Sequence, residues 1–110
     1  MYDTVIGRIR HTNWVWQKCN LQIGGPCLTK LPDGRRVACC RLFSEPSTDI
    51  RRTALCWLDP VTAELTEFIT FPSGGDTSYA GMVVHEGALY VSYYSSHEEG
   101  ATCVCLAQEP

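Results

Sequence analysis

The sequence predicts an all-β chain built as two four-stranded antiparallel blades of the propeller type, within one domain over residues 1–110. Three observations carry this. The apolar stretches are short, rich in β-branched and aromatic residues, and bounded by Gly, Pro, Asp or Asn, with little helical period. The turns Asp33-Gly34 and Glu86-Gly87 recur fifty-three residues apart. Each is preceded by a strand that runs into a glycine pair, Gly24-Gly25 in one case and Gly74-Gly75 in the other. A period near fifty with four strands per unit marks propeller blades. The repeats cover about 22–71 and 72–110, and residues 1–21 hold an N-terminal strand that completes a blade.

The elements follow in order. "TVIGRIR" from Thr4 is an extra strand, and "WVWQKCNLQIGG" from Trp14 leads into the first repeat. Trp14 and Trp16 share one strand face and are expected to bury against a neighbouring blade. Leu28 to Leu31 is a short strand. "PDGR" is a tight turn with Gly34 at positive φ. Arg36 to Phe43 is the second strand, and "SEPSTDIRR" is a polar connection in which Arg51-Arg52 faces water. Thr53 to Asp59 is the third strand, with Trp57 in the core. Pro60 starts a turn, and Leu65 to Phe71 is the fourth strand.

The pattern then restarts with "AGMVV", the turn His85-Glu86-Gly87, "ALYVSYY", the connection "SSHEEG" and "TCVCLA". In such a blade the first and third turns lie on one face, and the second connection and the crossover lie on the other. Here the short turns fall on the first face. The loops carrying Glu45, Asp49, Asp76, His97, Glu98 and Glu99 fall on the second, a common rim where a scaffold presents functional loops.

Composition excludes several classes. The formal net charge is -3 and the nine Lys and Arg residues are dispersed, whereas a nucleic-acid footprint needs a clustered basic face. No apolar run approaches the roughly 18 residues of a membrane helix. The first residues carry Asp3, Arg8, Arg10 and His11 and read as no signal peptide, so a cytoplasmic product is expected. The seven cysteines form no paired metal-binding knuckles. They read as reduced, small core hydrophobes, with no metal and no cofactor expected.

The segments "LPDGRRVACCRL", "TALCWLDPVTAELTEF" and "PSGGDTSYAGMVVHEGALYVSYYSSHEEG" resemble the C-terminal part of sialidase-like (neuraminidase-related) β-propeller proteins, from about Trp14 onward. The resemblance implies a six-bladed ring with a sugar site at the centre of one face. It also implies an arginine grip on a sugar carboxylate, a Tyr–Glu nucleophile pair and an Asp acid/base. Arginine pairs carboxylates bidentately, which suits the first task.

The ligand-binding candidates are Arg41, Asp76, Tyr79, Tyr94 and His97, and the catalytic candidates are Asp76, His97 and Glu98. His97 beside Glu98 resembles an acid–base pair. Asp76 is equally suited to bonding its own backbone in a turn. The reading is a carbohydrate-recognition protein. Its alternatives are a sialidase-like glycoside hydrolase with its site assembled between subunits, or a vestigial structural fragment. Two blades leave sheet edges and flanks open, so the partial propeller is expected to be completed by oligomerisation. A homo-oligomer, with a trimer favoured, would bring six blades together.

Overall fold

Asp33 and Gly34 show why the first hairpin reverses where it does. In the computed structural model, Gly34 takes a φ of 95°. Its N–H donates to the Leu31 carbonyl at 2.9 Å, and Asp33 Oδ1 accepts from the Arg35 N–H at 3.0 Å. The second hairpin uses a two-residue turn with both central residues at positive φ, Glu86 at 50° and Gly87 at 80°. This is the turn whose twist matches paired strands. The structure describes residues 4–10, 13–43, 51–71, 77–95 and 103–109.

These residues form nine strands: β1 (Val5–Arg10), β2 (Asn13–Lys18), β3 (Gly24–Lys30), β4 (Arg36–Phe43), β5 (Arg51–Leu58), β6 (Leu65–Thr70), β7 (Ser78–His85), β8 (Ala88–Ser95) and β9 (Cys103–Glu109). All pairings are antiparallel between sequence neighbours. They give a two-stranded sheet β1-β2, a four-stranded sheet β3-β4-β5-β6 and a three-stranded sheet β7-β8-β9. The chain is therefore all-β. Among the described residues, no helix is long and apolar enough to cross a membrane.

The middle sheet is covered on both faces. Val37, Cys39 and Leu55 pack with Phe71, Leu89, Val91 and Tyr93 toward the third sheet. The opposite face, with Ala38, Cys40, Leu42, Ala54 and Cys56, packs against Ile6, Cys19, Leu21 and Ile23. Central strands enclosed on both sides lose the usual in–out alternation. That is why β4 and β5 each carry four consecutive buried residues.

The N-terminal segment is tied to the middle sheet by side chains. The Asn20 amide donates to the Leu65 carbonyl at 3.0 Å and accepts from the Leu65 N–H at 2.6 Å, mimicking a neighbouring strand. Thr4 Oγ1 accepts from the Ile23 N–H.

Several expectations change. Within the chain the first repeat supplies four strands and the second three, while the N-terminal pair forms a sheet of its own. Arg51 and Arg52 open β5 rather than facing water in a loop. Arg52 meets Glu67 through two bonds of 3.0 and 2.8 Å, and Arg51 lies over the Phe43 ring. Trp57 is half-buried rather than sealed in. It stacks on Phe68 at 4.2 Å and carries the Arg35 guanidinium 4.4 Å from its ring centre. Trp14 and Trp16 are exposed, with no neighbour over the outer face of β1-β2 among the described residues.

Candidate functional site

The strand registers sort the chain ends. The first-hairpin residues Leu31, Pro32, Asp33 and Arg35 share a cleft with Val84, Gly87, Ala88 and Leu89, so the tight turns of both repeats lie at one end of the sheets. At the opposite end, Gly24 pairs with Arg41 and Arg41 with Thr53 across the middle sheet, and Ser78 pairs with Tyr94 across the third. These rows sit beside the strand ends that lead to residues 44–50, 72–76 and 96–100.

A buried hydrogen bond joins the two rows. Thr77 Oγ1 donates to the Tyr94 carbonyl at 2.8 Å and lies 2.6 Å from Thr53 Oγ1. A hydroxyl has one proton, so Thr53 donates to Thr77. Above this link three side chains meet. The Arg41 guanidinium lies 5.8 Å from the centre of the Tyr79 ring, and Tyr79 stacks on Tyr94 at 5.9 Å with 12° between the planes.

Two backbone features make this arrangement. A β-bulge between Ser78 and Gly81 breaks the β7–β8 register, and bulges re-aim side chains. Within it Tyr79 has a φ of 50° and is 68% exposed. A left-handed bulky residue costs roughly 1–2 kcal/mol. Gly24 leaves room for the arginine, since a Cβ there would lie 2.8 Å from the Arg41 guanidinium.

Three sequence-predicted site residues, Arg41, Tyr79 and Tyr94, are thus drawn together from two sheets. Asp76, His97 and Glu98 lie outside the described residues, as do Glu45, Asp49 and Glu99. The sequence reading missed the Thr53–Thr77 link and the role of Gly24. Thr77 stood next to a singled-out aspartate, but a hydroxyl pairing across sheets leaves no spacing signal.

Chemically, the cluster offers a cation and an exposed aromatic face. Among the described residues, no group of His, Cys, Asp and Glu is arranged to hold a metal. Cys40 and Cys56 Sγ atoms lie 3.9 Å apart in the core. Contact with Cys56 and burial together push the Cys40 thiol far up, and burial foremost lifts Cys39 to about 12. The Cys39 and Cys40 thiols are held protonated, away from the reactive thiolate form.

A separate cleft of about 340 Å³ lies between the first two sheets, lined by residues including Val5, Ile6, Ile23, Leu28, Leu58 and Leu65. Among the described residues that line it, none carries a charged side chain to orient a polar ligand. Comparison with known proteins finds no matching family model, no matching curated protein and no matching solved structure.

Proposed function

We propose that this chain is a carbohydrate-recognition protein of sialidase-like propeller descent, taking an acidic saccharide at the Arg41–Tyr79–Tyr94 cluster. One observation carries the reading. A tyrosine held in a left-handed bulge projects an exposed ring between a guanidinium and a second tyrosine, at the end of two sheets opposite the tight turns. Strained backbone persists where the surroundings over-determine it, and it clusters at ligand sites. The tyrosine face suits the apolar C–H face of a pyranose, and arginine suits a carboxylate.

The test is calorimetric titration with 3′-sialyllactose and with lactose. The acidic sugar binds more tightly. Arg41→Met removes that preference while leaving weak binding of both sugars, and Tyr79→Ala removes both. Equal affinity of the unaltered protein for the two sugars, or sialyllactose binding indifferent to both substitutions, overturns the reading. Release of free sialic acid during the titration instead supports the glycosidase alternative.

A further inference from the structure

Stacked sheets bury each other's faces only inside the stack, so the two end sheets keep one outer face each. On the first sheet, residues paired across the ladder share a face. Gly7 pairs with Trp16 and Val5 with Lys18, while Ile6 packs inward. Gly7, Trp14, Trp16 and Lys18 therefore lie outward. Trp14 and Trp16 are 57% and 64% exposed, and their rings stack at 5.8 Å. Gly7 seats the second ring, since a Cβ there would come within 2.5 Å of Trp16.

At the other end of the stack, Met82 and Val84 pack inward and Val83 is exposed outward. Val83 pairs with Tyr90, and the next outward row is Gly81 with Ser92. On β7 and β8 that row carries only a glycine and a serine, and β9 continues it at Leu106. It is flanked by Val83 and Tyr90 on one side and by Tyr79 and Tyr94 on the other. One end thus presents two bulky rings, and the other a shallow seat with aromatic walls. The match is between unlike faces, which defines a head-to-tail contact.

The surface area agrees. The accessible surface is 7043 Å², against roughly 6,100 Å² for a compact monomer of this mass. The excess, on the order of 900 Å², is close to the ~800 Å² that each partner buries in a standard interface. The radius of gyration of 14.5 Å likewise exceeds the ~13 Å of a compact chain of this length.

We infer that the chain assembles head to tail, the Trp14–Trp16 face of one copy seating on the Gly81–Ser92 row of a second copy. The contact uses sheet faces, not edges; Tyr79 and Tyr94 flank the seat and so are shared with the proposed saccharide site, but the contact and its test need no sugar. Sedimentation velocity over a concentration series tests it. The unaltered protein sediments above monomer mass in a concentration-dependent way. Trp16→Glu and Gly81→Glu each abolish association when alone, remaining monomeric across the concentration series.

Mixed together, these two variants form a dimer and nothing larger, because each retains the face the other lacks. Trp14→Lys and Val83→Lys, from the same two faces, replace either variant whose far-UV circular dichroism departs from that of the unaltered protein. A monomer at all concentrations, association of Trp16→Glu by itself, or failure of the mixture to pair overturns the inference.

Discussion

Thr53 Oγ1 and Thr77 Oγ1 lie 2.6 Å apart with both side chains fully buried, and this contact links the middle sheet to the third. Thr77 also donates to the Tyr94 carbonyl. Replacing Thr77 by Val removes the donor to the part-buried Tyr94 carbonyl and the acceptor of the buried Thr53 hydroxyl. A loss of about 1–3 kcal/mol in denaturant-measured stability is expected. Thr53→Val keeps the Thr77–Tyr94 bond and costs less. The double variant loses less than the sum of the two, since one interaction is removed in both singles.

Gly24→Ala separates the site from the fold. The added Cβ meets the far end of the Arg41 side chain rather than backbone. The arginine can swing aside, so stability changes by less than about 1 kcal/mol. Sialyllactose affinity falls toward that of Arg41→Met. Unchanged affinity would detach Arg41 from the site.

Tyr79→Gly trades function for backbone ease. Glycine accepts the 50° φ without strain. That relief offsets the lost ring contacts to within about 1 kcal/mol. Thermal stability is therefore nearly kept while sugar binding disappears. A large drop in the melting temperature would mark Tyr79 as a structural residue.

Glu67 governs part of the acid limb of stability. The Arg52 guanidinium beside it holds its carboxyl below the usual carboxylate range, and the Thr70 hydroxyl adds a third bond to the two from Arg52. A carboxyl whose folded pKa is depressed contributes stability that is fully present above its unfolded value, near 4.3. That contribution is lost as pH falls through the folded value. Glu67→Gln lowers stability at neutral pH by about 1 kcal/mol, modest because the pair is partly exposed. The variant and the unaltered protein converge in acid, as urea melts at successive pH values would register.

Thiol labelling reads the core. Cys39, Cys40 and Cys56 are buried, whereas Cys19 and Cys27 are half-buried. At pH 8 a disulfide reagent labels the first three only as fast as the protein opens. All seven cysteines react in denaturant. Rapid native labelling of Cys39 would contradict the stacked-sheet core.

The strand pattern was legible in the sequence because turn chemistry and apolar period agree locally. Asp33-Gly34 and Glu86-Gly87 mark their hairpins, and the strand Arg36–Phe43 was read to the residue. Arg51 and Arg52 misled because arginine reads as solvent-facing. Their stems lie along the sheet while the charges meet Glu67 and Phe43. Trp14 and Trp16 are exposed within the chain, and their expected burial against a neighbouring blade depends on a second copy. Arg41, Tyr79 and Tyr94 were each singled out in the sequence, and the structure brings them together. Their meeting depends on a bulge at Tyr79 that no local propensity announces.

The most direct test of the rim site is a ¹⁵N-edited NMR titration with 3′-sialyllactose. Amide shifts at Gly24, Arg41, Tyr79 and Tyr94, with Asp33, Gly34 and Gly87 unmoved, are the expected result. Shifts gathered around the Asp33-Gly34 turn, or none at millimolar sugar, would contradict it.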